Sequence, residues 1–410
     1  MFYRFFSHRF LPYWVAISAT LSILCIHMLP AVDSMLNENN VKISHVFLQS
    51  QIDYHKELPP FARRPFTTLL IDGATKNLGI RAGHSFILIN FLLMFASGIL
   101  LYLLSIQLKA SRKTALANML LYFSSFSILF AFFPPVFSYD EPLQYCLIFA
   151  SLTLFFKQRW KWFAILFTLS AITRETSLIL LPALAYLAFN DQVFNNGEPG
   201  RKKAKKLAYL LVPVLAYLVY LGIFLWTNKL VGHAQNEMAS RYSCFLENFE
   251  NRKNTIESIT SLYAVLALPV YLTLFHYKEK GAKKRDKDFI KAFWITAMIN
   301  TPIVILTAFA RESRLFALPL LLLWPVFFQL FANDLTPLFS KNSLRNWIKS
   351  KTSLLVFAGL TLGNFLFCFK LYADLGLGAN NFYQEYLFVL NLVLSYHVSY
   401  VLPKRKAPEK

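Results

Sequence analysis

The sequence predicts an all-α polytopic membrane protein of about twelve transmembrane helices, with both termini cytoplasmic and a long first outer loop carrying interfacial helices. Three observations predict it. At 56% hydrophobic and 17% aromatic, with mean hydropathy +0.43 over 410 residues, the chain is too apolar for a soluble protein of its length. Its apolar residues gather into runs approaching the roughly 20 that a helix needs to cross hydrocarbon. Its basic residues are segregated: the N-terminus, Lys109 to Lys113, Lys157 to Lys161, Arg201 to Lys206, Lys278 to Lys291, Lys341 to Lys351 and the C-terminal tail hold 28 of the 42 Lys and Arg. Short basic loops stay cytoplasmic, so the net charge of +20 orients the chain and nucleic acid is not called for as a partner.

The runs lie near 11–30, 84–106, 114–133, 143–156, 162–173, 176–190, 207–227, 259–277, 289–310, 315–332, 352–371 and 386–402. The first follows Arg4 and Arg9 without a small-residue cleavage site and reads as a retained span. Outer loop 31–83 is long and mixed. Val46 with Phe47, and Phe66 with Leu69 and Leu70, recur at helical spacing and predict helices lying in the interface. Pro65 suits the first turn of the second, and Pro59 to Pro65 reads as an extended, basic connection. Outer loop 134–142 is short and holds Tyr139, Asp140 and Glu141. Residues 162–190 lie between two basic loops yet are too few for two full spans, which favours a hairpin of short helices turning at Thr173-Arg174-Glu175 over one long tilted span. Outer loop 228–257 carries His233, Glu237, Arg241 and Tyr242. Residues 1–190 and 191–410 are read as two parts of one integral membrane domain. Of four cysteines, three lie in apolar runs, so neither a disulfide nor zinc-type spacing is expected.

A phrase occurs twice: Arg174-Glu175-Thr176-Ser177-Leu178-Ile179-Leu180-Leu181-Pro182 and Arg311-Glu312-Ser313-Arg314-Leu315-Phe316-Ala317-Leu318-Pro319, both Arg-Glu-x-x-Leu-x-x-Leu-Pro. Charges at the edge of hydrocarbon cost roughly 2.5–3.5 kcal/mol each on insertion scales, so they are kept for a partner or a task. The parity of the spans puts both phrases at the outer face, together with Asp33, Arg63, Arg64, Asp140 and Glu141. Guanidinium forks suit phosphate, which makes Arg174, Arg311, Arg314, Arg63 and Arg64 candidate donor-phosphate ligands. A partly desolvated carboxylate suits a general base, which makes Asp33, Asp140 and Glu141 candidate catalysts, with Glu175, Glu312 and Tyr139 in support. At the start of the fourth run, Asp140 and Glu141 also suit simple helix-start chemistry. No metal site is predicted, although Asp33 with Asp140 or Glu141 could hold a divalent metal if the fold joins them.

The long first outer loop, the acid after the first span, the short acid-bearing loop before the fourth, and the hairpin reading Ala171-Ile172-Thr173-Arg174-Glu175 before Leu181-Pro182 resemble the GT-C superfamily of polyprenyl-phosphate-sugar-dependent glycosyltransferases. The resemblance covers residues 1–190; beyond them it rests on span count and the second Arg-Glu phrase. It implies a catalytic acid in the first loop, matching Asp33, and an anion-binding basic residue at the hairpin, matching Arg174. Many members pair two acids in that loop, whereas Ser34 follows Asp33 here, and Asp53 is the alternative. The implied activity is transfer of a sugar from a polyprenyl-phosphate-linked donor to a glycan, lipid or protein acceptor, in a bacterial inner membrane. Two other classes fit the same sequence: a secondary transporter of the twelve-span type, and a polysaccharide polymerase or ligase using a lipid diphosphate. Against the transporter, the chain has only 13 Gly, and close helix packing in membranes favours small residues.

Overall fold

The computed structural model describes residues 10–25, 45–132, 138–189, 200–232, 241–277, 284–375 and 381–405. Among them the chain is helical, with no strand. Every apolar run that predicted a span is helical over most of its described length. Five helical segments are long and apolar enough to cross a membrane: Ala82–Gln107, Lys205–Thr227, Arg252–Phe275, Arg285–Thr307 and Lys351–Leu371. Shorter apolar helices cover Leu11–Ile23, Glu141–Phe156, Trp160–Thr173, Glu175–Phe189 and Leu320–Ala332. Lys205–Thr227 and Lys351–Leu371 turn Leu215, Val219, Leu355 and Leu362 outward, and such apolar outer faces suit a bilayer.

Ala82–Gln107 is the centre. It packs against Leu11–Ile23, Pro65–Leu78, Arg112–Ser124 and Glu141–Phe156. Small residues permit this closeness: a Cβ built on Gly98 would lie 2.6 Å from Cε2 of Phe123, and the Ser97 hydroxyl shares a 2.7 Å hydrogen bond with that of Tyr122. The run at 114–133 is not one helix. It breaks at Ser125, which is extended, and the one-turn helix Phe126–Leu129 follows. The tenth run is also segmented, through Ser313–Ala317, Leu320–Leu323, Trp324–Val326 and Phe327–Phe339. Buried Asn118 serves that break, donating to the Pro325 carbonyl at 2.8 Å and accepting from the Phe328 N–H at 2.9 Å. Without such a partner the freed backbone groups would be orphaned in an apolar core.

Between residues 45 and 78 the structure has helices His45–Glu57 and Pro65–Leu78, the latter with proline in its first turn as expected. Leu69 and Leu70 stay exposed while Thr67, Thr68 and Ile71 pack inward. The connection between them corrects the extended reading: Pro59–Ala62 is a helical turn, because its two prolines already hold the φ of a helix's first residues.

The helix Ala82–Gln107 also separates two ends. Its start meets the first outer loop, where Ser85 receives the Thr75 hydroxyl at 2.9 Å. Its end meets the basic loops, where Arg285 donates to the Leu108 carbonyl at 3.0 Å. Twenty-six residues at 1.5 Å each put these ends about 39 Å apart.

Candidate functional site

Four segments that are far apart in sequence meet near the start of Ala82–Gln107, around a cavity of about 780 Å³. Arg63 and Arg64 come from the turn between the two loop helices. Asp140 and Glu141 open the helix Glu141–Phe156. Arg174 and Glu175 lie at the first phrase, and Glu312 and Arg314 at the second.

At the first phrase, helix Trp160–Thr173 stops at Arg174, whose backbone is extended (φ −159°, ψ 116°). The 3-10 helix Glu175–Leu180 follows and leads into Leu181–Phe189. In a continuous helix residues 170 and 177 would be about 10.5 Å apart along the axis. The Ser170 hydroxyl instead donates to that of Ser177 at 2.7 Å, so the chain turns locally and one continuous helix is excluded. Buried Gln144 ties the turn to its neighbour, donating to Thr176 at 3.1 Å and Ser177 at 2.9 Å. The second phrase is held differently. Helix Lys284–Thr307 ends before it, and buried Asn248 donates to the carbonyls of Ile305 (3.0 Å) and Ala308 (2.8 Å) while accepting from the Ala310 N–H (2.9 Å). Ser261 donates to the Arg311 carbonyl at 2.9 Å. Both phrases continue as 3-10 turns; α-helix then begins at Leu181 after the first and at Leu320, just past Leu318-Pro319, after the second.

The charges interlock. Glu141 receives Arg174 on Oε1, and Nε of Arg314 lies 3.0 Å from the same oxygen; Oε2 accepts from the Tyr139 N–H at 3.2 Å. Arg314 also reaches Glu312 at 3.0 Å. Glu175 takes both loop arginines, Arg63 at 3.0 Å and Arg64 in a fork at 2.6 and 3.0 Å. The Tyr220 hydroxyl fixes that turn through the Arg63 carbonyl at 2.9 Å. The candidate phosphate ligands are therefore engaged with carboxylates. Desolvated guanidiniums without counter-ions would be costly, and this chain supplies the counter-ions itself. Arg311 stands apart: it is exposed, lies over the Phe309 ring at 4.9 Å and does not line the cavity, so Arg314 is the second phrase's contribution.

Asp140 is the least satisfied member. It occupies the N-cap position but makes no capping bond. It is 2% exposed, its Oδ2 lies 3.9 Å from Arg64, and its Oδ1 accepts no hydrogen bond. Burial pushes its carboxyl up to about 7; Arg64 opposes the rise and the Glu141 charge adds to it. Around it Arg63, Arg64, Arg174 and Arg314 face Glu141, Glu175 and Glu312, and Arg241 also lines the cavity.

Asp33 lies outside the described residues, as do His233 and Glu237. Asp53, the alternative acid, accepts from Gln49 one helical turn away at 2.7 Å and does not line the cavity. Among the described residues no group of three or more His, Cys, Asp and Glu is placed to hold a metal ion.

Sequence reading missed His55. Its ring stacks on Tyr139 at 3.6 Å, and Nδ1 is 2.9 Å from the Gln51 carbonyl, which can only accept, so Nδ1 carries the proton and Nε2 is the ring's acceptor. Burial lowers its pKa to about 4, which keeps the ring neutral. The signal was present: Leu48, Ile52 and His55 share one helix face, and a histidine that continues a buried apolar stripe is a polar group brought inward.

The cavity has three kinds of lining. The ionic network is one; Leu178, Ile179, Ile303, Val304 and Leu318 are apolar; Tyr54, His55, Phe61 and Tyr139 are aromatic. Its volume falls in the range of small-molecule sites, about 300–1,000 Å³. No family model, curated protein or solved structure matches this chain.

Proposed function

We propose that this protein is a membrane glycosyltransferase that moves a sugar from a polyprenyl-phosphate-linked donor to an acceptor at the outer face of a bacterial inner membrane, in a chain of about twelve spans with both termini inside. One observation carries the reading: a buried carboxylate oxygen without a hydrogen-bond partner, on a group titrating near neutrality, shares a cavity with paired guanidiniums and an apolar wall. Each feature answers a need of that reaction. A base poised near pH 7 accepts the acceptor's proton. Guanidiniums receive the charge that builds on the leaving phosphate. Apolar side chains suit the lipid that carries it.

The test uses purified protein in nanodiscs with radiolabelled polyprenyl-phosphate hexoses and pentoses. Asp140→Asn is expected to stop transfer while donor binding persists, and Arg174→Ala to weaken donor binding. Asp33→Asn in the same assay decides whether the first-loop acid implied by the GT-C resemblance shares the role of base. If no lipid-linked donor binds, or if both Asp140→Asn and Arg174→Ala behave as wild type, the reading fails.

A further inference from the structure

The apolar lining of the cavity follows the two Arg-Glu phrases and the helix before the second, whereas its aromatic lining, Tyr145 and Phe309 apart, comes from residues 54–61 and Tyr139. Arg174 and Arg314 are each followed within five residues by apolar lining, Leu178 and Ile179 in one case, Leu315 and Leu318 in the other. Asp140 and Arg64 are instead neighbours of the aromatic lining. Tyr139 precedes Asp140, and the Arg64 guanidinium lies 5.8 Å from the centre of the Phe61 ring. Around Phe61 the rings are close: its centroid is 5.0 Å from that of Tyr54 and 5.0 Å from that of His55, and His55 stacks in turn on Tyr139. Tyr54 remains 46% exposed at this wall, and Gln51 adds an amide to it.

Aromatic faces carry partial negative charge and attract the weakly positive C–H faces of a pyranose, while an amide, a phenol and the Nε2 of a neutral imidazole can hydrogen-bond hydroxyls. A lipid alcohol would call for aliphatic lining here.

We propose that the wall formed by Gln51, Tyr54, His55 and Phe61 is the acceptor subsite and that the acceptor is a saccharide, its reacting hydroxyl presented to Asp140. The inference rests on the transferase reading. In the transfer, the acceptor hydroxyl gives its proton to Oδ1 of Asp140 as its oxygen bonds to the anomeric carbon. The bond from that carbon to the phosphate oxygen breaks, and its electron pair leaves on the phosphate beside Arg174 and Arg314. Tyr54 and Phe61 then set acceptor affinity, whereas the guanidiniums paired with Glu141 set donor affinity.

The experiment measures two things on the full chain in nanodiscs. The first is binding of free mannose, glucose and galactose tetrasaccharides by saturation-transfer NMR without donor. The second is transfer from the radiolabelled polyprenyl-phosphate donors to those tetrasaccharides, to a serine-threonine peptide and to a long-chain alcohol. A tetrasaccharide is expected to bind and to accept sugar. Tyr54→Ala should raise its KM about tenfold with kcat largely kept, and Tyr54→Phe should restore it, since the ring and not the hydroxyl does the stacking. If donor is consumed but only peptide or alcohol accepts, or if Tyr54→Ala leaves saccharide KM unchanged, the saccharide subsite is wrong while the transferase reading stands. If no donor is consumed, the transferase reading fails, and tetrasaccharide binding lost in Tyr54→Ala still supports a saccharide site. Absence of any tetrasaccharide binding to wild type overturns it.

Discussion

Glu141 holds one arginine from each Arg-Glu phrase against a single carboxylate oxygen, at 4% exposure. Removing one partner of such a buried pair leaves the others uncompensated, at about 3–5 kcal/mol. Glu141→Gln is therefore expected to lower stability by about that amount in thermal unfolding of detergent-solubilised protein, while Glu141→Met combined with Arg174→Met recovers part of the loss. Asp140 gives the opposite sign. Its folded pKa is raised to about 7 from the usual 3.8, so between those values the folded protein holds a proton that the unfolded chain has lost, and stability falls as pH rises through this window. Asp140→Asn should melt above wild type at pH 8, with the gap closing toward pH 5, and yet be inactive. Wild-type transfer should rise with pH through about 7, as expected of a base that works only when ionised.

At the scale of elements, the breaks in the helices position the site. Arg174 reaches Glu141 because its helix stops there, and Arg314 reaches it because Asn248 receives the loose backbone of the neighbouring helix end with three hydrogen bonds. Asn248→Ala leaves buried backbone groups unmet and is expected to cost about 1–3 kcal/mol of stability. It should also weaken donor binding, by freeing Arg314 from its register, which a binding isotherm on the labelled donor would read. The approach of Ala82–Gln107 to Arg112–Ser124 is a second such point. A larger residue at Gly98 must displace the buried Phe123 ring, so Gly98→Val should cost about 1–3 kcal/mol in the same thermal assay.

Across the whole molecule, ionic groups gather at one end and the basic loops at the other, about 39 Å away along the central helix. If the basic end is cytoplasmic, a cysteine placed at the exposed Lys56 in a cysteine-free background should react with a membrane-impermeant maleimide in intact cells. One at the exposed Asn346 should react only after the membrane is opened. The reverse pattern would invert the chain and remove the basis for placing the cavity at the outer face.

The helical class, the apolar segments and the segregation of the basic loops can be read along the chain, because hydropathy and charge placement are local properties. The sequence also marked both Arg-Glu phrases as places where helices end, and Pro65 as the start of one. Which charge meets which depends on the assembled fold. Arg63 and Arg64 are more than a hundred positions from Glu175, and Arg314 further still from Glu141. Nothing local distinguishes Arg311, left exposed, from Arg314, drawn inside three residues later. The same holds for Asp140: whether an acid at a helix start caps that helix or lies buried without a hydrogen bond on one oxygen depends on what the rest of the fold packs around it. His55 lies between the two cases, since its place on the stripe with Leu48 and Ile52 was readable, but its stacking on Tyr139 required the loop and the helix bundle to meet.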